Sequence, residues 1–343
     1  MNVKLYPWLI QPWNQLQSRR TNLPHALLIH GRPGLGKTVL AKLFAQRLLC
    51  EGPSGGDLPC GECAACRWFE QANHPDFRLL EPEALSAAEG DARTTEGEPR
   101  KREGEAASRQ IRIDQVRELH DFLAIGTHRG GLRVIILRPA EAMNLATANA
   151  LLKSLEEPPP STLFILVSSA PDRLLPTVRS RCQKVGVAAA TAAEAVGWLQ
   201  SRGVADGEAA LAYAANAPLA ALEDAEERAA RDSFVAGRLA GGNRDALELV
   251  DACQGVAPAR VVSWLQKWVV DLALARTVGS VRYHQRHTAA LRTLAGSLAL
   301  ERLLRFERSL AEAAAVAQHP LNPRLFLEDV FLRYTQIWEA RSG

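Results

Sequence analysis

A glycine-rich segment of eight residues constrains the fold of this chain more than any other stretch. The sequence GRPGLGKT at residues 31–38 places Gly, four residues, Gly, Lys and Thr in the order of a phosphate-binding P-loop. An apolar run at residues 25–30 precedes it, and a segment with one apolar helical face follows at residues 39–49. Strand, loop and helix in succession place backbone N–H groups and a helix dipole where they favour an anion.

The simpler alternative for this segment is a glycine loop that only starts a helix. All the required positions are filled, so we expect a nucleotide site instead. Lys37 is expected to reach the β- and γ-phosphates and Thr38 to help hold Mg²⁺. The predicted nucleotide-binding residues are Gly31, Gly34, Gly36, Lys37 and Thr38.

Length and charge narrow the class of protein. The 343 residues are enough for two or three domains. The formal net charge of +3 is too small to indicate nucleic-acid binding by itself, because such domains are usually strongly basic. No apolar run reaches the roughly 18 residues of a membrane span, and residues 1–8 lack the apolar core of a signal peptide. We expect a cytoplasmic protein with no membrane partner.

Four of the six cysteines are clustered in the segment from residue 50 to residue 66. Two overlapping C-x-x-C turns at residues 60–66, together with the cysteine at position 50, supply the four thiolates of a closed tetrahedral zinc site. A redox pair or unrelated free thiols are the alternatives. Because no ligand position is left open, the pattern predicts structural rather than catalytic zinc, with the ligands Cys50, Cys60, Cys63 and Cys66.

Strand-like and helix-like segments alternate through the first half of the chain. Apolar runs predict strands at residues 77–80, 133–137 and 162–167. Amphipathic segments predict one helix with Asp114 as its N-cap and another that starts at Asn144. This alternation indicates a parallel α/β sheet with its ligand at the carboxyl ends of the strands.

Two stretches depart from the alternation. Residues 84–108 contain almost no large apolar side chain, which predicts a disordered surface insertion, or less simply a charged binding segment. Beyond residue 188 the pattern is helical, so the fold class is α/β followed by all-α. The predicted helices are at 191–202, 209–217, 219–239, 258–278, 288–316 and 323–341. Their aromatic residues are expected in helix–helix contacts: Trp264, Trp268, Phe306, Phe326, Phe331 and Trp338.

The end of the strand at residues 133–137 lacks the acidic residues that hold Mg²⁺ and orient water in P-loop NTPases. Arg138 and Pro139 stand there instead, and Glu141 is displaced along the chain. A positive charge at this place would repel Mg²⁺. We therefore do not expect this chain to hydrolyse ATP by itself.

Several motifs together resemble those of bacterial clamp-loader subunits, which are proteins of the AAA+ class. Besides the P-loop and the cysteine cluster, they comprise HALLI at residues 25–29, NALLK at 149–153, LEEPP at 155–159 and SRC at 180–182. The motifs span residues 24–185 and are jointly specific, whereas the helical half matches only in class.

The resemblance implies an AAA+ domain at residues 1–187 with an embedded zinc module at 50–66, a helical lid at 188–235 and a helical collar at 236–343. In the family, subunits form a ring through their collars, and ATP binding lets the ring place a sliding clamp on primed DNA. The implied partners are gamma/tau-type and delta-type subunits, the clamp and primed DNA. The SRC motif supplies an arginine finger to a neighbour's ATP, and in this chain that catalytic residue is Arg181.

The residues alone favour ordinary ion pairs for Arg179 and Arg181, and the resemblance reverses that preference. Two departures from the family's motor subunits indicate a fixed, non-motor subunit that binds ATP and Mg²⁺ without turnover. One is the pair Arg138 and Pro139 in place of two acids. The other is NAPLA at residues 216–220, where motor subunits carry a nucleotide-sensing Arg near a Gly-Ser pair.

Two other functions compete with this hypothesis. An ATP-hydrolysing motor subunit would show steady turnover of MgATP by the purified chain. A zinc-ribbon protein would bind nucleic acid tightly and salt-sensitively through residues 45–75. Basic residues such as Arg129, Arg133 and Lys153 are expected on a solvated face rather than at phosphates.

Overall fold

The computed structural model describes residues 5–52, 56–88, 107–127, 131–222, 225–242, 245–317 and 322–338. The chain divides into two compact units, Met1–Thr191 and Ala192–Gly343. The predicted domain limits at 187/188 and 235/236 stay predictions.

A five-stranded parallel sheet forms the centre of the first unit. Its strands lie in the order β2-β3-β4-β1-β5, and they are β1 Ala26–His30, β2 Phe77–Leu80, β3 Arg133–Leu137, β4 Thr162–Ser168 and β5 Gln183–Gly186. Every residue of β3 and β4 is buried. Strands covered on both faces read as continuous apolar runs, which is why the predicted strands are confirmed.

Seven α-helices accompany this sheet in the described part of the unit. They are α1 Ile10–Gln17, α2 Lys37–Leu49, α3 Ala64–Glu70, α4 Glu83–Ala88, α5 Ile113–Ala124, α6 Leu145–Glu156 and α7 Pro176–Arg181. Helices α5, α6 and α7 pack with Ala26 and Leu28 of β1 in one apolar cluster. Successive residues of a strand point to opposite faces, so the other face of β1 is available to α2, which contacts β1, β3 and β4.

Two predictions for the first unit were wrong in detail. The N-cap of α5 is Arg112, whose N–H donates to the Gln115 side chain at 2.9 Å, and Asp114 lies inside the first turn. The predicted disordered insertion begins with helix α4. This helix is tied to the sheet because the Ser86 hydroxyl donates to Glu81 at 2.8 Å. Residues 89–106 lie outside the described residues.

The second unit is helical throughout its described residues. Its helices are α8 Ala192–Ser201, α9 Gly207–Tyr213, α10 Ala225–Phe234, α11 Ala246–Asp251, α12 Pro258–Val278, α13 Thr288–Gly296, α14 Leu300–Val316 and α15 Pro323–Gln336. One apolar cluster joins α10 to α15 and contains Trp264, Trp268, Phe306 and Phe331, with Phe326 and Trp338 packed against it. The predicted role of these aromatic residues is confirmed.

The helix boundaries of the second unit differ from the predicted ones. Residues 218–221 form a turn, and α10 ends in a wider turn at Val235–Leu239. The segment predicted as a single helix at 288–316 breaks after Gly296, where the Ser297 hydroxyl donates to Leu294 O at 2.9 Å. A serine hydroxyl that binds a nearby carbonyl competes with the helical backbone, and this explains the break.

A buried carboxylate fixes the connection between α12 and α13. Asp271 on α12 is fully buried and accepts hydrogen bonds from the backbone N–H groups of Arg282, Tyr283 and His284. The ring Nδ1 of His284 lies 2.8 Å from the same carboxylate. Burial by itself raises the pKa of Asp271, but these hydrogen bonds outweigh it and lower the pKa below its usual value.

None of the helices in the described parts of the chain is both long enough and apolar enough to cross a lipid bilayer.

Candidate nucleotide site and zinc site

Glycines hold the P-loop between β1 and α2. Gly34 and Gly36 have φ angles of 73° and 82°, in the left-handed region that side chains disfavour. A Cβ atom on Gly31 would lie 2.5 Å from the carbonyl oxygen of Val187, so no other residue fits there without a shift. Thr38, the second residue of α2, is half-buried. The predicted phosphate-binding residues therefore share one loop at the carboxyl end of β1.

Lys37 is the first residue of α2, and only 6% of its surface is exposed. Its Nζ donates to the carbonyl oxygen of Arg32 at 2.7 Å. Burial lowers the pKa of Lys37, and the charge of Glu141 acts in the opposite direction. The first turn of α2 contains no acidic residue, so the positive end of its dipole is free to attract an anion.

Trp8 lies outside the P-loop and supports it. This contact was not predicted from the sequence. Its indole N–H donates to the carbonyl oxygen of Leu35 at 2.9 Å, and the bond is buried. A buried indole N–H needs a partner, and only the folded chain shows that this partner is the P-loop.

The end of β3 contains a buried ion pair. The Nε atom of Arg138 donates to Glu81 Oε2 at 2.5 Å, and each side chain is 7% exposed. Glu81 also accepts a hydrogen bond from Ser86. The positive charge of the Arg138 guanidinium is therefore balanced by the carboxylate of Glu81, which directly follows β2. The predicted repulsion of Mg²⁺ by the charge of Arg138 is therefore reduced by Glu81, but Arg138 still occupies the place of the metal-binding acid.

Glu141 lies beside the P-loop although it is displaced in sequence. Its Oε1 accepts a hydrogen bond from the backbone N–H of Ser169 at 2.9 Å, just beyond the end of β4. β4 is the neighbour of β1 in the sheet, with Ser168 opposite His30. The charge of Glu141 acts on Lys37 for this reason.

A cleft of about 300 Å³ opens beside the first residue of the loop. Gln11 and Gln15 of α1, His30, and the chain after β5 line it. Burial lowers the pKa of His30, and the nearby charges of Lys184 and Lys37 lower it further.

The structure brings the four predicted zinc ligands together. The Sγ atoms of Cys50 and Cys60 are 3.5 Å apart, those of Cys50 and Cys63 are 4.0 Å apart, and those of Cys60 and Cys66 are 3.9 Å apart. All four sulfurs lie within 4.8 Å of one another. Tetrahedral zinc with Zn–S bonds of about 2.3 Å requires Sγ separations of about 3.8 Å. The residues therefore fit a closed zinc site.

Backbone amides prepare these sulfurs to carry negative charge. Four N–H···Sγ contacts of 3.4 Å run from Gly52 and Cys60 to Cys50, from Cys63 to Cys60, and from Cys66 to Cys63. Hydrogen bonds from the amides of Cys63 and Glu62 lower the pKa of the Cys60 thiol to about 6. Burial raises the pKa of Cys66 instead. A bound metal ion would displace the proton of this buried thiol, because the metal ligand is the thiolate.

The cysteine cluster is fastened to the α/β core on two sides. Gln17 of α1 donates to the carbonyl oxygen of Asp57 at 2.6 Å. Arg47 of α2 donates to the carbonyl oxygen of Gly56 at 2.9 Å. The segment between the first and second ligands is thus held by the same helices that flank the P-loop.

Arg181 is the last residue of α7 and lies apart from the P-loop in sequence. Its guanidinium donates to Thr177 O at 2.9 Å and pairs with Glu156 at 2.6 Å, and its side chain is 33% exposed. Arg179 pairs with Asp172 at 2.7 Å. The following residue, Cys182, is buried, and burial raises the pKa of its thiol to about 12. Cys182 is therefore a packed residue.

The strand order, the P-loop after β1 and the helical second unit define a P-loop protein of the AAA+ class. Two family models match the chain: "DNA polymerase III, delta subunit" over residues 10–191, and the C-terminal part of the same subunit over residues 227–336. The chain belongs to this family of clamp-loader subunits of DNA polymerase III.

Its relatives in this family are named DNA polymerase III subunit delta'. The Pseudomonas aeruginosa protein is 36% identical over 292 residues, which are 82% of this chain and 79% of the relative. The Yersinia pestis protein is 32% identical over 320 residues, covering 89% and 87% of the two chains. The Escherichia coli protein is 35% identical over 228 residues, covering 64% and 60%. The predicted resemblance is confirmed.

Proposed function

We propose that this chain is a non-motor subunit of a clamp-loader ring that binds ATP with Mg²⁺ but does not turn it over. Its partners are gamma/tau-type and delta-type subunits in a hetero-oligomer. The ring loads a sliding clamp onto primed DNA during chromosomal replication in the cytoplasm. The role of this chain is to complete the ring and to present residues to a neighbouring subunit.

One contrast carries this proposal. The phosphate-binding half of the site is complete, with Lys37 buried at the start of α2. The hydrolytic half is not, because Arg138 is buried against Glu81 where a metal-binding acid would stand. When bound, Mg²⁺ would neutralise phosphate charge. The P-loop amides, Lys37 and Thr38 would hold and orient the phosphates around it.

The experiment measures binding and turnover separately. The purified full chain is titrated with ATP in a calorimeter, and phosphate release is followed under the same conditions. Lys37→Ala is expected to abolish binding, whereas Lys42→Ala on the same helix is expected to leave it unchanged. Steady phosphate release at the rate of a motor subunit would contradict the non-motor role. Absence of ATP binding by the unmodified chain would contradict the nucleotide site.

Arg181 is the residue we propose as an arginine finger in trans. Two observations support this. The side chain lies at a helix end and is 33% exposed. Its ion pair with Glu156 is also partly exposed, and such a pair is worth only about 0–1 kcal/mol, so it yields readily to a phosphate. A guanidinium can donate two parallel bonds to phosphate oxygens.

The competing interpretation is that Arg181 makes only an ordinary ion pair. Arg181→Ala is expected to leave the folding of the isolated chain intact. In the assembled complex it should slow ATP hydrolysis at the neighbouring site by about 10³-fold or more. Arg179→Ala, which breaks the other ion pair of α7, is the matched control and should change the rate by less than about twofold. Unchanged ATP hydrolysis in the complex with Arg181→Ala would contradict the role of Arg181 as an arginine finger.

The cysteine cluster is proposed to hold one structural Zn²⁺. Metal analysis of the purified chain should find about one equivalent of zinc. Cys63→Ala should lower that content, whereas Cys253→Ala, which removes a buried thiol outside the cluster, should not. Full zinc content in the Cys63→Ala protein would contradict the proposed ligand set.

A further inference from the structure

The carboxylate of Glu141 lies at the base of the P-loop. Its Oε1 is fixed by the backbone N–H of Ser169 at 2.9 Å. In the parallel pairing of β1 with β4, His30 lies opposite Ser168. Ser169 therefore directly follows β4, and Gly31, the first residue of the P-loop, directly follows β1. Adjacent strands lie about 4.8 Å apart.

The second oxygen of Glu141 is buried and has no hydrogen-bond partner among the described residues. A buried carboxylate oxygen without a partner is costly, because the water that it lost is not replaced. The nearby Lys37 carries the opposite charge, but its Nζ is engaged with Arg32 O at 2.7 Å. The site thus contains one acceptor oxygen that the protein alone does not satisfy.

Two other acidic residues near these strand ends are already paired, and one of them, Asp172, pairs with Arg179 at 2.7 Å. Glu81 accepts from Arg138 at 2.5 Å and from the Ser86 hydroxyl at 2.8 Å. Among the described residues at these strand ends, Glu141 is therefore the acid that keeps a buried oxygen without a partner. It reaches there because the chain turns through Ala140–Ala142 after β3.

We propose that Glu141 is the acidic residue that positions the Mg²⁺ accompanying the nucleotide phosphates. This assignment rests on the proposed nucleotide site. Mg²⁺ prefers oxygen ligands, keeps several waters, and is commonly held by one or two carboxylates together with phosphates. The free oxygen of Glu141 supplies one such acceptor four residues beyond the end of β3.

The test compares nucleotide affinity with and without Mg²⁺. ATP and ADP are titrated into the full chain in MgCl₂ and in EDTA, and the ratio of the two dissociation constants is the readout. Glu141→Gln keeps an oxygen for Ser169 and removes the charge. Glu157→Gln, at the exposed end of α6, removes the same charge elsewhere. Mn²⁺ in place of Mg²⁺ gives a second readout, the electron paramagnetic resonance signal of the bound ion.

For the unmodified chain and Glu157→Gln, we expect Mg²⁺ to tighten ATP binding about tenfold or more, equivalent to about 1.4 kcal/mol. In Glu141→Gln the ratio should fall to about threefold or less, with the affinity in EDTA unchanged or improved, and the Mn²⁺ signal should shift. If Glu141→Gln fails to fold, Glu141→Asp, with a shorter carboxylate, should reduce the ratio by the same reasoning.

The outcomes separate this assignment from the proposed function. A Mg²⁺ ratio that stays the same in Glu141→Gln and in Glu141→Asp would overturn the assignment and leave the nucleotide site standing. Absence of ATP binding by the unmodified chain in both MgCl₂ and EDTA would overturn the nucleotide site and the assignment with it. A role of Glu141 in packing alone would lower the melting temperature without changing the Mg²⁺ ratio.

Discussion

Removing Arg138 should destabilise the first unit strongly, although the residue lies where other P-loop proteins carry an acid. Arg138→Leu leaves the Glu81 carboxylate buried, with 7% of its side chain exposed and only the Ser86 hydroxyl as a charge-stabilising partner. Breaking a buried ion pair in this way costs about 3–5 kcal/mol. For a unit of this size, each kcal/mol lowers the melting temperature by about 2–4 °C, so the expected loss is roughly 6–20 °C.

The assay is urea and thermal unfolding of the full chain, followed by circular dichroism. Arg179→Leu is the matched control. Its partner Asp172 has a side chain that is 93% exposed, so breaking that pair should cost about 0–1 kcal/mol. The double variant Arg138→Leu with Glu81→Leu should recover most of the stability, because no charge remains buried without a partner. An Arg138→Leu protein as stable as Arg179→Leu would refute this reasoning.

Three further predictions concern other parts of the chain. Because the pKa of Asp271 is lowered by folding, the stability that it contributes should be fully present above about pH 4 and lost as the pH falls through its folded-state pKa. Asp271→Asn should accordingly cost about 1.5–3 kcal/mol at pH 7 and much less near pH 2, as measured by urea unfolding. In metal-free protein, iodoacetamide should modify the exposed Cys60 before the buried Cys66, and zinc should protect both, as mass spectrometry of digests would show. Trp8→Phe should weaken ATP binding about threefold to tenfold in calorimetry by releasing the P-loop carbonyl that the indole holds, and unchanged affinity would contradict that support.

The sheet and the cysteine cluster were predictable because their signals are local and redundant. A strand buried along its whole length reads as an apolar run, so β3 has the bounds that its apolar run predicts. The spacing of the cysteines from Cys60 to Cys66 leaves little choice about where their sulfurs point. The structure confirms that they converge with Cys50.

The chemistry at the strand ends was only half predictable. The sequence shows that Arg138 replaces an acid, but not that its charge is balanced by Glu81, a residue 57 positions away. In the sequence, Glu141 lies a few residues beyond the usual position of the metal-binding acid, which suggests that the metal-binding function is lost. The turn after β3 brings this carboxylate back to the loop, and such a path depends on tertiary packing rather than on spacing.

The predicted helix boundaries in the second unit were wrong for a different reason. An alanine-rich, amphipathic pattern continues across breaks, because alanine is compatible with both a helix and a turn. The break after Gly296 depends on the Ser297 hydroxyl and on Leu298, which is 2% exposed and turns into the core. The short helix α11 was missed although Asp245 caps it through the amides of Leu247 and Glu248.

Helix α2 joins the two sites of the first unit end to end. It begins at Lys37, in the phosphate loop, and Cys50 follows directly after its last residue. With 13 residues it is about 20 Å long. Loss of the metal would release the C-terminal end of this helix, and its last turns would fray. Any free energy that couples zinc binding to nucleotide binding must act in both directions, so a bound nucleotide should raise the affinity for zinc by the same factor by which zinc raises the affinity for the nucleotide.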